Sequence, residues 1–252
     1  MCDVNGLRII PSYKCNYNCS FCYQKDHSLN MSDELELSAL YDRLQTLKNS
    51  GFKPIYITFM GGEFTILKNS IEYMKIVNEF YPFSYKSLTT NGSAPFIYYE
   101  KLPLYGINNI TFSLNELGDS LKSKIEMLGT NSFFTIRTNI YLNLNNYEKI
   151  ERLLCYCMSH HIPATFCADI KSSVPETSEI IKFLDLSNWN VSEHPNHIVF
   201  TNEEYIYSFW VFHHKGNYKG DNYIILPNGQ ITSNFKNVLD CRGVRGSELC
   251  SV

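Results

Sequence analysis

The alternation of strand-like and helix-like segments is the sequence feature that most constrains how this chain folds. Up to about residue 170, six short apolar segments with the composition of β-strands are separated by stretches with helical periodicity. The six predicted strands cover residues 7–10, 54–59, 85–90, 107–114, 133–141 and 162–170. Strands that alternate with helices at this spacing form parallel βα units with right-handed crossovers. Six such units predict an α/β fold built as a partial (β/α)6 TIM-like barrel, in preference to a closed barrel of eight strands.

The segments between the strands carry start and stop signals of helices. Ser32 and Asp33 are suitable N-cap residues for a first helix whose leucines recur on one face, and Gly51 is placed to end it. Further helices are predicted over residues 66–81, 95–104, 118–128 and 147–160. Each predicted helix therefore connects two predicted strands, as a barrel of this type requires.

The regular alternation ends near residue 171, which divides the chain into two predicted parts. Residues 1–171 form the predicted partial-barrel core. Residues 172–252 form a short irregular C-terminal extension, which we expect to act as a lid or a substrate-binding subdomain. Within the extension, Asn228 and Gly229 separate two apolar segments, and an Asn-Gly pair tolerates the positive φ values of a tight turn. The extension therefore contains a predicted β-hairpin.

Composition and charge argue against several classes of partner. The 252 residues include 22 Lys and Arg against 25 Asp and Glu, so the net charge of −3 provides no global attraction for nucleic acid. No apolar stretch approaches the roughly 20 residues that span a bilayer, and the first residues lack the pattern of a signal peptide. We therefore expect a cytoplasmic protein without a membrane or nucleic-acid partner.

Nine cysteines are the second strong signal in the sequence. An odd number argues against a complete disulfide framework, and metal ligation is the better interpretation. Cys15, Cys19 and Cys22 lie within eight residues directly after the first predicted strand, and thiolates so close together suit iron–sulfur or zinc ligation. A structural zinc site usually closes with four protein ligands, whereas a cubane cluster held by three thiolates keeps one iron open. A zinc loop completed by His27 or by a distant cysteine is the alternative.

The cysteine spacing resembles the CxxxCxxC motif of the radical S-adenosylmethionine superfamily, in which an aromatic residue such as Phe21 precedes the last cysteine. The resemblance extends over residues 7–170, and the order of the elements is the same. It implies that Cys15, Cys19 and Cys22 bind a [4Fe–4S] cluster whose open iron chelates S-adenosylmethionine (SAM), and that Phe21 is one of the cofactor-binding residues.

After the second predicted strand, Gly61, Gly62 and Glu63 are similar to the GGE segment of this superfamily, and we give these three residues that name. In the superfamily, the backbone and the Glu of this segment contact the methionine amino group. Glycine at such a position permits close approach of the backbone to a ligand. A lone Gly-Gly pair is otherwise merely a turn.

Polar residues near the ends of the next three strands complete the implied SAM site. Thr90, Asn91, Ser113 and Asn115 are similar to residues that line the nucleoside site in the superfamily. Arg137 stands where relatives bind the methionine carboxylate, and its planar guanidinium can hold a carboxylate with two hydrogen bonds. The structural alternative for each of these residues is an ordinary hydrogen bond at a strand end.

The resemblance also implies the chemistry. In this superfamily, an electron from the reduced cluster cleaves SAM, and the resulting 5′-deoxyadenosyl radical abstracts a hydrogen atom from the substrate. The radical reacts with almost any C–H bond, so the site must exclude water and align one target atom. We expect a peptide or small-metabolite substrate, with peptide modification favoured by the hairpin, and a reducing electron donor such as a flavodoxin or a ferredoxin.

The C-terminal extension is similar to a segment of peptide-modifying relatives in which a hairpin precedes the cysteine ligands of auxiliary clusters. Asn234 stands about where such a cysteine would be expected and only Cys241 and Cys250 follow it, so we do not expect a second iron–sulfur cluster. Cys241 or Cys250 is instead a candidate catalytic residue, as the hydrogen-atom donor of a peptide epimerase. Cys155 and Cys157 are expected to be buried as small apolar residues.

Other functions fit the same core. A nucleotide dehydratase would need cations at the barrel mouth, which Lys215, Lys219, Arg242 and Arg245 could supply. An activase that installs a glycyl radical on a partner protein fits the compact length. The alternative from a different class is a non-catalytic metal-binding scaffold, which would hold iron–sulfur or zinc without generating 5′-deoxyadenosine.

Overall fold

The computed structural model describes residues 5–20, 22, 34–116, 118–142, 147–167, 176–194, 197–212 and 222–233. The six predicted strands are present as β1 (Gly6–Ile9), β2 (Tyr56–Phe59), β3 (Tyr85–Thr90), β4 (Asn109–Leu114), β5 (Thr135–Tyr141) and β6 (Ala164–Cys167). The helices between them are α1 (Leu37–Asn49), α2 (Ser70–Phe80), α3 (Phe96–Glu100), α4 (Asp119–Gly129) and α5 (Tyr147–Ser159), with 3-10 turns at Phe64–Ile66 and Leu102–Tyr105. None of the helices in the described ranges combines the length and the apolar character needed to cross a membrane.

The rest of the described chain adds one helix and five strands. These elements are α6 (Thr177–Phe183), β7 (Asn190–His194), β8 (His197–Asn202), β9 (Tyr207–Phe212), β10 (Asn222–Ile225) and β11 (Ile231–Thr232). All strands belong to one sheet in the order β11-β10-β1-β2-β3-β4-β5-β6-β9-β8-β7. Strands β10, β1 to β6 and β9 run parallel, whereas β11, β8 and β7 pair antiparallel with their neighbours. Within the described residues, no pairing joins β11 to β7, so the sheet is open, and the predicted partial barrel is confirmed.

One face of this sheet packs against the helices and forms the core. Ile9, Phe59 and Leu88 are partners on adjacent strands, are fully buried, and share a core with side chains of α1 and α2. Burial of each such side chain contributes about 1.5–3 kcal/mol to folding. Alternate residues of the same strands, such as Arg8 and Thr58, are half-buried and point to the other side. We name that side, opposite the helices, the open face.

The first helix begins later than the sequence signals predict. The predicted N-cap residues Ser32 and Asp33 lie outside the described residues, and α1 starts at Leu37. The chain just before the helix is still extended, because Glu34 forms an antiparallel bridge with Ser12. A contact between residues distant in the sequence therefore delays the helix beyond its local start signal.

Two turn predictions are confirmed. Gly51 follows the end of α1 with a φ of +82°, the left-handed region that favours glycine. The pair Asn228 and Gly229 joins β10 to β11, and Gly229 has a φ of +76°. The Gly229 amide donates to the Leu226 carbonyl oxygen at 2.9 Å, which closes the hairpin.

The described part of the C-terminal extension contributes strands on both sides of the core sheet. Strand β9 lies parallel to β6, and β8 and β7 continue the sheet beyond it, while β10 lies parallel to β1. The sequence analysis identified the hairpin, but it found neither α6 nor the antiparallel strands β7 and β8. The role of residues 172–252 as a lid or substrate-binding subdomain stays a prediction.

Truncation of the core at the centre of the sheet should lower stability strongly. Phe112 of β4 is fully buried, and its ring centroid lies 5.6 Å from that of Tyr99. We expect Phe112→Ala to lower the free energy of unfolding by about 3–5 kcal/mol, because it removes buried apolar surface and leaves a cavity. Phe83→Ala is the matched control, since Phe83 is 97% exposed, and should change this free energy by less than about 0.5 kcal/mol. Urea unfolding measures the free energy of unfolding of both variants, and equal losses in the two would contradict this assignment of the core.

Candidate functional site

The three cysteines of the motif lie in one loop at the carboxyl edge of the parallel strands. This loop, residues 10–20 and 22, directly follows β1, and we name it the cysteine loop. Cys15, Cys19 and Cys22 are all half-buried, and the Cys22 amide donates to the Cys19 carbonyl oxygen at 3.2 Å. Ligand sites of parallel α/β sheets form at this edge, because the loops after several strands converge there. The structure thus brings the predicted metal ligands together at the expected edge.

Burial raises the pKa of the Cys15 thiol above its usual value. A hydrogen bond from the Tyr17 amide, 3.3 Å from the Cys15 sulfur, lowers this pKa, whereas the negative charges of Glu63, Cys22 and Cys19 raise it further. The three thiols therefore lie near enough to influence one another's ionisation. A bound cation reverses this balance, because a coordinating thiol is deprotonated outright.

The donor set of the cysteine loop fits an iron–sulfur cluster. Within the described ranges, no three side chains of the His, Cys, Asp or Glu types are grouped so as to hold a single metal ion. A cubane spreads its thiolates over different irons, so its ligands need not converge on one point. Three soft thiolates in one loop match that requirement, and they leave a fourth iron free to bind another molecule.

The GGE segment is pressed against the backbone of the cysteine loop. The Gly62 amide donates to the Ser12 carbonyl oxygen at 3.0 Å, and the Glu63 amide donates to the Lys14 carbonyl oxygen at 2.8 Å. A Cβ atom on Gly62 would lie 2.1 Å from the Lys14 oxygen. On Gly61, whose φ is +139°, it would lie 2.6 Å from the Ser12 oxygen. Glycine is required here because the loop itself approaches so closely; approach to a ligand stays a prediction.

The Glu63 carboxylate joins the ends of β2 and β3. Its side chain is buried, and one oxygen accepts from the Thr65 amide (3.0 Å), the Thr65 hydroxyl (2.6 Å) and the Thr90 hydroxyl (2.8 Å). The other oxygen accepts from the Asn91 amide at 2.6 Å. A buried carboxylate is costly unless it is hydrogen-bonded, and these four bonds satisfy it. The contact of Glu63 with the methionine amino group stays a prediction.

Two asparagines at strand ends reach the cysteine sulfurs. The Asn115 side-chain nitrogen lies 3.1 Å from the Cys19 sulfur. The Asn91 side-chain nitrogen lies 3.9 Å from the Cys15 sulfur and donates to the Asn16 side-chain oxygen at 2.9 Å. The sequence analysis assigned both asparagines to the nucleoside site, and their contacts with the cysteine loop were not foreseen.

Ser113 and Arg137 lie on the open face of neighbouring strands. In the parallel register Ser113 is the partner of Asn139, and Arg137 is the partner of Thr111. Ser113 is half-buried and Arg137 is exposed, and both alternate with buried residues that face the helices. Their contacts with the nucleoside and with the methionine carboxylate stay predictions.

Two residues that the sequence analysis missed support the site. Thr65 donates twice to Glu63, and a threonine two residues after an acidic residue that caps a helical turn is a signal that could have found it. Lys124 of α4 donates to the Gly92 and Ala94 carbonyl oxygens, both at 2.9 Å, and so holds the loop after β3. No sequence pattern marks Lys124, because a lysine on an amphipathic helix usually faces solvent.

Several residues of the sequence analysis lie outside the described part of the chain. They are Phe21, His27, Asn234, Cys241, Cys250 and the cations Lys215, Lys219, Arg242 and Arg245. The prediction that Cys155 and Cys157 are buried is confirmed for Cys157 and wrong for Cys155, which is exposed. Burial raises the pKa of Cys157 to about 11, and its sulfur lies 3.3 Å from the Thr138 hydroxyl.

Comparison with known proteins decides the family. The sequence model of the Radical SAM superfamily matches residues 9–164, which is more than half of the chain. The chain belongs to the radical SAM superfamily. It is therefore a radical SAM enzyme, of a family that uses a [4Fe–4S] cluster and SAM.

Individual relatives match about half of this radical SAM protein at low sequence identity. It is 28% identical over 131 residues to GTP 3′,8-cyclase of Clostridium perfringens (strain SM101), a match that covers 51% of this chain and 40% of that protein. It is 30% identical over 127 residues to a probable GTP 3′,8-cyclase of Methanocaldococcus jannaschii, covering 50% and 42%. The matches thus span less than half of the length of these relatives.

A solved structure shares the fold of this radical SAM enzyme over nearly its whole length. The structure of Streptococcus suis SuiB bound to the precursor peptide SuiA aligns with a TM-score of 0.64 and 16% identity. The alignment covers 94% of this chain and 61% of that chain. At this identity the likeness shows the fold alone, including the part that follows β6.

Substitution of Gly62 should prevent the cysteine loop from docking. A Cβ atom at this position would overlap the Lys14 carbonyl oxygen, so we expect Gly62→Ala to bind only a small fraction of the iron that the wild type binds after anaerobic reconstitution. Gly129→Ala is the matched control, because at the end of α4 no atom beyond the adjacent residues and the backbone of the helix itself lies within 4 Å of the Cβ position. A colorimetric iron assay measures both variants, and equal iron content would show that the close approach is unnecessary.

Replacement of Glu63 by glutamine should lower the stability of the metal-free protein. Each carboxylate oxygen accepts from a backbone amide, that of Thr65 or that of Asn91, so an NH2 group on either side faces a donor. We expect Glu63→Gln to lower the free energy of unfolding by about 1–3 kcal/mol. The exposed Glu100→Gln serves as the control, with a change below about 0.5 kcal/mol. Urea unfolding without SAM measures this structural role of Glu63 apart from any contact with methionine. An unchanged free energy of unfolding in Glu63→Gln would show that the hydrogen bonds of Glu63 do not stabilise the fold.

Proposed function

We propose that this enzyme abstracts a hydrogen atom from a peptide bound on the open face of the sheet. The observation that carries the proposal is the docking of the cysteine loop against the GGE segment at the carboxyl edge of an open parallel sheet. When held by Cys15, Cys19 and Cys22, a reduced cluster would supply the electron for reductive cleavage of SAM, the chemistry that gives the superfamily its hydrogen-abstracting radical. The electron would reach the protein from a reducing partner such as a flavodoxin or a ferredoxin.

The residues of this chain would then hold and orient the two cofactors. Cys15, Cys19 and Cys22 would ligate the cluster, with Phe21 beside it. The GGE segment would face the methionine amino group, and Arg137 would bind the methionine carboxylate through its planar fork. Thr90, Asn91, Ser113 and Asn115 would line the nucleoside.

A row of side chains on the open face continues from the SAM site and suits a substrate. In the register of the parallel strands, Ser113, Asn139, Thr165 and Trp210 are successive partners across β4, β5, β6 and β9. Trp210 is 42% exposed, and its ring lies 5.1 Å from that of His197. Exposed aromatic rings supply contact area for a bound chain. With strands about 4.8 Å apart, Ser113 and Trp210 are about 14 Å apart, the length of about four extended residues.

Two features support a peptide as the substrate. The open sheet offers a long surface, which an extended chain needs and a compact metabolite does not. The hairpin formed by β10 and β11 also resembles the segment that precedes auxiliary ligands in peptide-modifying members of the superfamily. Cys241 or Cys250 would serve as the hydrogen-atom donor if the reaction is an epimerisation. A small metabolite on the same face is the alternative within this mechanism.

A nucleotide is the second candidate substrate. Two relatives that match about half of this chain by sequence are a GTP 3′,8-cyclase and a probable GTP 3′,8-cyclase. A triphosphate would require several cations near the carboxyl edge. Lys215, Lys219, Arg242 and Arg245 are the residues that the sequence offers for this purpose.

The test of the proposed function is SAM cleavage by the reconstituted protein. After anaerobic loading with iron and sulfide and reduction by dithionite, we expect the wild type to convert SAM to 5′-deoxyadenosine, measured by chromatography. A variant in which Cys15, Cys19 and Cys22 are all replaced by Ala should give no product above background. Cys155→Ala, which removes an exposed thiol outside the cysteine loop, is the control and should retain wild-type product formation.

The same assay separates the competing functions. A wild-type protein that carries a full cluster but yields no 5′-deoxyadenosine would support the scaffold. To test the nucleotide, GTP deuterated at its carbon-bound positions is added with SAM. We expect no deuterium in 5′-deoxyadenosine, because the radical takes its hydrogen from a peptide; transfer of deuterium from GTP would overturn the peptide substrate in favour of a nucleotide.

A further inference from the structure

The sheet, and not a local turn, brings the side-chain amide of Asn115 next to the cysteine loop. Asn115 follows directly on β4, a central strand of the sheet, and is separated by 96 positions from its partner Cys19. The distance of 3.1 Å from its nitrogen to the Cys19 sulfur is short for a nitrogen donor facing sulfur. Both residues are half-buried, so the hydrogen bond competes with less water than a surface contact would.

The Asn91 amide is held beside Cys15 by a set of polar contacts. Its side-chain oxygen accepts from the Ser93 amide at 2.9 Å, and its side-chain nitrogen donates to Asn16 at 2.9 Å. The backbone amide of Asn91 donates to Glu63. These contacts leave the Asn91 nitrogen 3.9 Å from the Cys15 sulfur, a longer and weaker contact than that of Asn115.

Hydrogen bonds to the sulfurs are one of the properties that set the reduction potential of an iron–sulfur cluster. Reduction adds negative charge to the cluster and its thiolates, so a donor aimed at a thiolate sulfur stabilises the reduced form more than the oxidised form. A donor therefore raises the potential and makes the cluster easier to reduce. The residues that orient or polarise the ligands of a metal centre act in the same way in other sites.

We infer that the side-chain amide of Asn115, and more weakly that of Asn91, donates to a cluster-binding cysteine sulfur and raises the reduction potential of the cluster. Both residues are then positioning residues for electron transfer to SAM. This role differs from the nucleoside contact expected from the sequence, because it acts on the cluster whether or not SAM is present. The inference requires that the cysteine loop binds the cluster, and it does not depend on the identity of the substrate.

The potential of the cluster without SAM tests the inference. The midpoint potential of anaerobically reconstituted protein is measured by titration with a reductant and followed by electron paramagnetic resonance. We expect Asn115→Leu, which keeps the bulk and removes the donor, to have a more negative midpoint than the wild type. Asn115→Asp should shift it further, because a carboxylate adds negative charge, and Asn91→Leu should shift it less. Asn109→Leu, at the opposite end of β4, should match the wild type.

A direct probe on the wild type covers the case in which a variant does not retain its cluster. Protein labelled with 15N in the asparagine side chains is reduced, and pulsed electron paramagnetic resonance detects nitrogen coupled to the cluster spin. We expect a 15N coupling in the wild type that is clearly weaker in a cluster-loaded Asn115→Asp, in which only the more distant Asn91 nitrogen remains near a cysteine sulfur. Absence of the coupling from a cluster-loaded wild type would overturn the inference even if no variant holds a cluster.

The remaining outcome distinguishes the two roles of Asn115. If Asn115→Leu holds a full cluster with the wild-type potential and binds SAM more weakly, Asn115 contacts the nucleoside and the inference is overturned. If the potential measured without SAM becomes more negative, the amide acts on the sulfur; weaker SAM binding by the same variant would add a nucleoside contact without changing this result. Neither the midpoint potential nor the SAM dissociation constant requires turnover. Both can therefore be interpreted even if the proposed peptide reaction is not observed.

Discussion

The candidate site depends on a close contact between two stretches of backbone. Amides of the GGE segment donate to carbonyl oxygens of the cysteine loop, and Cβ atoms at Gly61 and Gly62 would overlap those oxygens. Backbone atoms in such a contact have little freedom to move aside, so the contact sets where the cysteines lie relative to β2. Since β2 pairs with both β1 and β3, the position of the cysteine loop is set by the centre of the sheet.

A hydrogen-bonded network extends this contact to the neighbouring strands. Glu63 accepts from Thr90 and from the Asn91 amide at the end of β3, and the Asn91 side chain donates to Asn16 in the cysteine loop. The half-buried Asn115 adds a further link from the end of β4 to Cys19. Networks of this kind are strong in a low-dielectric setting, and they order every group that takes part. The strand ends therefore help to position the cysteine side chains without a contribution from a cofactor.

The open sheet separates the cofactor region from the surface proposed for the substrate. Strands β9, β8 and β7 follow β6 and extend the same open face, so that Trp210 ends the row that starts at Ser113, and the His197 ring lies beside it. At the other end of the sheet, β10 lies beside β1 and the hairpin of β10 and β11 covers that edge. A radical enzyme needs a shielded reaction centre next to a specific binding surface, and this strand order places the cysteine loop and the proposed substrate surface on one sheet.

The sequence by itself determined the fold class and the placement of the three cysteines in one loop. Strand and helix periods are local properties of the chain, and three cysteines within one loop are adjacent in any fold. Only the tertiary structure decided that β10 pairs with β1, that Glu63 accepts from Thr90, and that Asn115 reaches Cys19. These contacts join residues far apart in the chain. A polar side chain at a strand end can bond to several partners, and the order of the strands, which no local pattern encodes, selects the one that lies within reach.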